Sequence, residues 1–269
     1  YKRYTVKGRG YDPTIKGMTD RVTKKQINIE QLSRKTGSRM AFTCTALCNN
    51  SQISNEEGSW EAIGDPTCSA SATFGWKTLG PNDEFKKENT RLHEFFFDAE
   101  RKRMTTINNF EGGIWAFTKG ALDPMESLFT KIYENDELID ITEEHIKEIK
   151  EINHSMASGA LRVLALACKK VDDGVDIKDI DQIESDLIFL GLIGIRDPPR
   201  SEAYEAIATC HEAGIRVIMI TGDHEYTAKS VGIELEICDE ESETISGYDL
   251  EDIDDFKLIE VVKLSLIHI

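Results

Sequence analysis

Apolar and polar positions follow three patterns along this chain. Between residues 93 and 109 the segments HEFFFD and MTTINN flank a charged turn, AERKR. That predicts two strands of a hairpin. GIWAF at 113–117 predicts a third strand, ending at Thr118-Lys119-Gly120-Ala121. Between Thr142 and Ser158 the period changes. Ile146, Ile149, Ile152, Asn153 and Met156 fall on one largely apolar face of a helix. Thr142 stands where an N-cap belongs, and Glu143 and Glu144 suit the positive end of the helix. Gly159 ends it, and LRVLALAC at 161–168 is the next strand. Upstream, Tyr4–Gly17 predicts a strand broken by Gly and Asp-Pro turns. MAFTCTALCNN within 27–50 predicts a short buried helix, and Ala70–Thr78 a second one after the turn at Gly64-Asp65-Pro66-Thr67.

The third pattern starts near residue 186. Leu187–Ile195, LIFLGLIGI, is continuously apolar, as in a parallel strand covered on both faces. Ser201–Ala213 predicts a helix closed by Gly214, Ile215–Ile220 a second apolar strand, and His224–Val231 the start of another helix. Strand–helix–strand–helix at this spacing implies a parallel sheet. The expected organisation is therefore an α+β domain over 1–186, an antiparallel sheet with flanking helices, followed at 187–269 by part of a doubly wound α/β domain.

Composition narrows the partners. The chain has 269 residues, 40% hydrophobic and 30% charged, with a net charge of −17. So acidic a chain is a poor ligand for a nucleic-acid backbone, which needs clustered Lys and Arg. Eleven Asp or Glu and no Lys or Arg lie between Glu234 and Asp255, which reads as a solvated surface segment. The six cysteines form no paired CxxC pattern. Cys44 and Cys48, four apart, would share a helix face, and the set reads as reduced, mostly buried thiols without a metal. The chain opens Tyr-Lys-Arg-Tyr, with no apolar leader and no run of about 18 apolar residues to cross a bilayer. The missing initiator Met suggests a fragment.

Two short segments carry candidate chemistry. Thr221-Gly222-Asp223 follows the apolar strand IRVIMI and places a hydroxyl, a flexible backbone and a carboxylate at a strand's carboxyl end, where open α/β sheets bind ligands. Asp197-Pro198-Pro199-Arg200 is a stiff turn holding a carboxylate and a guanidinium at the exit of the preceding strand. The two are 24 residues apart.

DPPR followed by TGD at this spacing resembles the cytoplasmic part of type II P-type cation-transporting ATPases. Other elements follow in that family's order. Lys119-Gly120-Ala121 is similar to its KGA element, which implies a lysine in an adenine pocket. Phe97–Met104, FDAERKRM, resembles its strand–turn–strand, implying Phe97 as the stacking ring and Lys102 as a cation. LRVLALA implies Arg162 as an ATP contact, and Gly64-Asp65-Pro66-Thr67 resembles the GDPTE element, implying Asp65 and Thr67 at the nucleotide. An aromatic face and nearby cations suit a purine and its phosphates. Each residue also has a plainer reading. Phe95, Phe96 and Phe97 could each be a core or sheet-surface residue, and Phe95 shares a strand face with Phe97, so the choice of Phe97 rests on the resemblance. Lys102 sits between Arg101 and Arg103 in what reads as a solvated charge run. Lys119 alone would be a surface lysine.

Two departures stand out: Cys68 replaces the Glu that ends GDPTE, and Ala99 stands where related pumps often have arginine. A third is an absence. The family's nucleophilic Asp, in DKTGT, forms an aspartyl-phosphate with Mg²⁺ assistance; here the nearest string, Arg34-Lys35-Thr36-Gly37, has no Asp and no leading strand. The family's later TGDGVND-type metal site is absent too. The resemblance thus implies a nucleotide-binding domain (1–186) and a partial, HAD-like phosphorylation domain (187–269). This fragment would bind ATP with Mg²⁺ without turnover, on the cytoplasmic side of a membrane. Its parent would couple ATP hydrolysis to cation transport with further domains and membrane helices, calcium first among the ions. The alternatives are a soluble HAD-like phosphohydrolase, which requires a complete Asp site, and a non-catalytic module using the acidic segment.

Overall fold

The computed structural model describes residues 2–8, 10–56, 58–159, 161–196, 199, 201–221, 225–239, 241–242, 244–245 and 267–268. Asp197, Arg200, Gly222 and Asp223 lie outside the described residues, as do 246–255 of the acidic segment. The chain divides into two compact units, one of Tyr1–Asn153 with Val163–Ile195 and one of His154–Arg162 with Arg196–Ile269.

The first unit begins with three short strands, β1 (Tyr4–Val6), β2 (Met18–Asp20) and β3 (Gln26–Ile27), which form an antiparallel sheet of their own. Helices α1 (Ile29–Ser33) and α2 (Thr36–Leu47) follow, then the hairpin β4 (Gln52–Glu56)–β5 (Ser59–Ile63), then α3 (Pro66–Leu79) and α4 (Asn82–Glu88). The main sheet is built from β6 (Arg91–Asp98), β7 (Arg103–Phe110), β8 (Gly113–Gly120), β9 (Phe129–Glu134), β10 (Glu137–Asp140), β11 (Arg162–Val171) and β12 (Leu187–Ile195). Helix α5 (Glu143–Ala157) and the short α6 (Ile180–Ile183) interrupt the later strands.

The strand order is β10-β9-β12-β11-β8-β7-β6. The β6–β7–β8 meander and the β8–β11 pair are antiparallel, as expected, whereas β12 runs parallel to β9. Leu187–Ile195, expected to open the second domain, is therefore an interior strand of this sheet. Its apolar run has the inferred cause but a different place. Leu187 and Phe189 pack with Ile132 and Ile149 of α5, while Ile188, Leu190 and Ile193 pack with Met40, Leu47, Phe117 and Leu166. Helices cover both faces, so neither set of side chains needs polar residues.

Local signals explain several boundaries. Thr142 caps α5 as expected: its Oγ1 accepts from the His145 N–H, and His145 Nδ1 accepts from the Thr142 N–H. The Arg34–Gly37 string is a helix start. Lys35 precedes α2, and the Thr36 N–H donates to Asp136 at 2.6 Å. Cys44 and Cys48 share the face of α2 that meets the sheet, and burial pushes the Cys168 thiol opposite them well above its usual range. All six cysteines are free thiols.

In the second unit, α7 (Ser201–Glu212), β13 (Met219–Ile220), α8 (Glu225–Glu234), β14 (Thr244–Ile245) and β15 (Ile267–His268) are described. β13 and β14 flank β15, both parallel to it. The expected strand at 215–220 shrinks to Met219–Ile220. Its ladder partner is two residues long, and Ile215 and Ile220 are exposed. The Tyr204 hydroxyl donates to Glu234 at 2.7 Å, and Arg196 pairs with the same carboxylate, so the first acid of the acidic segment is held rather than free.

Candidate functional site

The amino end of α3 is set by sequence. Asp65 is the N-cap, its carboxylate accepting from the N–H groups of Thr67 and Cys68 at 3.0 Å each, and Pro66 fills the first turn, where a missing N–H costs nothing. Asp65 is exposed and Thr67 partly so. The carboxylate proposed for a nucleotide thus has a local structural task as well.

Cys68, one residue further, faces the carboxyl end of β8. The Lys119 ammonium donates to its sulfur at 3.3 Å. Lys119 is only 4% exposed, so the reading of a plain surface lysine does not hold. It sits on the face of the sheet that α2 and α3 cover, opposite Met104 on β7 and Leu166 on β11. A buried ammonium ordinarily has a carboxylate or several oxygens around it. Here the group that accepts from it is a thiol, a weak acceptor.

Gly120 carries the site across to the hairpin. It pairs with Arg103, and a Cβ at this position would collide with the Arg103 Cβ and lie 2.5 Å from the Lys102 carbonyl oxygen. The Ala121 N–H donates to that same oxygen at 3.0 Å. The KGA segment is thus laid directly against the β6–β7 turn, and only a residue without a side chain fits. Lys102 occupies the tip with φ of 50°, its N–H bonded to the Asp98 carbonyl at 2.7 Å, and its side chain is exposed.

Phe97 stands on the same hairpin and is 65% exposed. A regular strand would put Phe95 and Phe97 on one face. The β6–β7 register shifts between Phe95 and Asp98, and this irregularity separates them. Phe95 packs with Ile107 and Ile183, while Phe96 and Phe97 are both left on the surface. Arg162, the remaining expected contact, is exposed at the first position of β11. Thr221 is described and half-buried. Contacts therefore link Thr67–Cys68, Lys119–Gly120 and the turn of Lys102.

Two features escaped the sequence. The first is the Cys68–Lys119 contact, whose members are 51 residues apart. The second is Glu184. Its side chain is 2% exposed, and its two oxygens receive Arg101 Nη1 and Arg103 Nε at 2.6 Å each and the Thr105 hydroxyl at 2.7 Å. Arg101 and Arg103 are not a solvated charge run; both are drawn to a buried carboxylate. The only sequence signal was an acid standing just before an apolar strand. Elsewhere, Arg91 donates to the carbonyls of Leu47 and Asn49, closing the carboxyl end of α2, and burial, then Arg91, pushes the Lys86 ammonium below its usual range.

The family described as P-type ATPase, cytoplasmic domain N, matches residues 38–202. Calcium-transporting ATPase 1 of Bacillus cereus is 36% identical over 231 residues, 86% of this chain and 25% of that protein. Calcium-transporting ATPase of Bacillus subtilis is 36% identical over 264 residues, 97% of this chain and 29% of its own length. Sodium/potassium exporting P-type ATPase cta3 of Schizosaccharomyces pombe is 38% identical over 200 residues, 72% of this chain and 19% of its own. The chain spans about a quarter of the length of these curated relatives. Among the described residues, no helix is long and apolar enough to cross a membrane.

Proposed function

The chain belongs to the P-type cation-transporting ATPases, and we propose that its part in their cycle is to bind ATP. The observation that carries this reading is the run of contacts from the start of α3 through buried Lys119 and Gly120 to the Lys102 turn, with the exposed ring of Phe97 on the same hairpin. A buried ammonium with a thiol neighbour suits an incoming polar or anionic group. An exposed phenyl ring offers a face for a purine, and Lys102 a cation for phosphate. Asp65 and Thr67 stand at the start of α3 beside Cys68, and Arg162 is in this reading a further ATP contact.

The longer protein of which this chain would be part hydrolyses ATP through an aspartyl-phosphate and moves a cation, calcium first, as the names of the bacterial relatives suggest. Its remaining domains and membrane helices are the partners, and this portion works on the cytoplasmic side. The second unit would be the returning part of a HAD-like phosphorylation domain. There Thr221, Gly222 and Asp223 orient phosphate and Mg²⁺, and Asp197 and Arg200 serve as hinge. Mg²⁺ enters as the chelate of the nucleotide. Among the described residues, no group of three His, Cys, Asp or Glu side chains is placed to hold a metal.

Calorimetric titration of the 269-residue chain with ATP, repeated on Phe97→Ala and Lys119→Ala, tests the reading. Binding that both substitutions abolish supports it. A folded chain that takes up no ATP refutes it.

A further inference from the structure

The tip of the β6–β7 hairpin is an unusual place for a carboxylate clamp. Four consecutive residues, Asp98 to Arg101, separate Phe97 from Lys102 at the turn. Two arginines on either side of Lys102 instead reach back to one buried acid. Arg101 Nη1 binds Glu184 Oε1 and Arg103 Nε binds Glu184 Oε2, both at 2.6 Å, and the Thr105 hydroxyl adds a third bond to Oε1. Arg101 also spans the hairpin: its Nη2 donates to the Phe96 carbonyl at 2.8 Å, beside the residue whose ring is exposed. Arg103 Nη1 bonds the Arg101 carbonyl at 3.3 Å. The left-handed backbone of Lys102 lies between these two anchors.

We propose that Glu184 is a positioning residue for the nucleotide: through Arg101 and Arg103 it fixes the hairpin tip so that Phe97 and Lys102 meet the purine and phosphate together. This deepens the ATP-binding reading and rests on it. The reason is geometric. Charge-assisted bonds to a carboxylate that is shielded from water are strong and directional. Three of them converge on one side chain that is 79 to 83 residues away in sequence. A solvated turn with no such anchor would sample many orientations, and ordering it would weaken binding. Glu184 itself touches no nucleotide in this account.

The test uses the full chain with Glu184→Gln, which keeps the shape and removes the charge. Arg101→Gln is a second variant that leaves the Arg103–Glu184 pair intact and tolerates the substitution at a partly exposed site. Two quantities are read: the ATP dissociation constant, and the upfield ring-current shift of the adenine H8 and H2 protons at saturating ATP. Both variants are expected to weaken ATP binding about tenfold and to reduce the ring-current shift. Asp140→Asn, which removes an exposed ion pair with Lys131 at the far edge of the sheet, is expected to change neither. Wild-type affinity in a folded variant overturns the proposal. So does weakened binding with an undiminished ring-current shift, because that outcome means general destabilisation. A wild-type chain that binds no ATP overturns the nucleotide reading itself, and this inference with it.

Discussion

The Lys119 ammonium lies 3.3 Å from the Cys68 sulfur, at the point where the carboxyl end of β8 meets the first turn of α3. The resemblance to type II pumps implies a glutamate where this cysteine stands. Cys68→Glu would give the buried lysine a carboxylate. It would also put an acid in the first turn of a helix already capped by Asp65, where the dipole favours it by about 0.3–1 kcal/mol. The expected outcome is a higher thermal midpoint and ATP binding tightened several-fold, read by differential scanning calorimetry and titration. A raised midpoint with unchanged affinity would sink the idea that the cysteine weakens the site.

Gly120→Ala tests the contact between the KGA segment and the hairpin. The new methyl group would collide with Arg103 and crowd the Lys102 carbonyl, which is backbone and cannot swing away. Overpacking of this kind destabilises by about 1–3 kcal/mol. The melting temperature should therefore fall by several degrees, and ATP affinity should drop with it because Lys102 moves. A variant with wild-type melting and wild-type affinity would show that the two segments are not so closely fitted.

Much of this site was legible and some was not, for a physical reason. The hairpin, the helix from Glu143 and the capping role of Thr142 follow from period, charge and turn chemistry, all local. Lys119 was assignable as a site residue only by resemblance, because nothing within a few residues of it signals burial. Phe97 is set apart from Phe95 by a register shift that alternation cannot show. Glu184 finds Arg101 and Arg103 across more than 80 residues, and β12 chooses β9 as its partner across more than 50. Partner choice of that kind depends on the whole sheet. A continuous apolar run such as Leu187–Ile195 states that both faces are covered without stating by what.

Asp65 can be both a helix cap and a nucleotide contact, and substitution separates the roles. Asp65→Ala removes the bonds to the N–H groups of Thr67 and Cys68, at a cost of about 1 kcal/mol. Asp65→Asn keeps an accepting oxygen and should retain most of that stability. Weaker ATP binding in the asparagine variant, at nearly unchanged urea midpoint, identifies a contact to the bound nucleotide. Full affinity in the asparagine variant would make Asp65 a cap and nothing more.

Asp98 gives the hairpin tip a dependence on pH. Its carboxylate accepts from the Arg101 N–H and the Glu100 N–H, and the Arg101 bond leads in holding the carboxyl below its ordinary value. The sign follows from linkage. With the folded value depressed, the unfolded chain takes up the proton first. The carboxylate's contribution is therefore complete above the ordinary value, near pH 4, and is lost as pH falls through the lower folded one. Asp98→Asn keeps an accepting oxygen at the turn and cannot titrate. Urea unfolding of both chains between about pH 6 and about pH 3 should show a stability difference that is constant at the upper end and shifts against wild type at the lower. Parallel profiles across that range would mean that Asp98 is bonded no better in the folded chain than in the unfolded one.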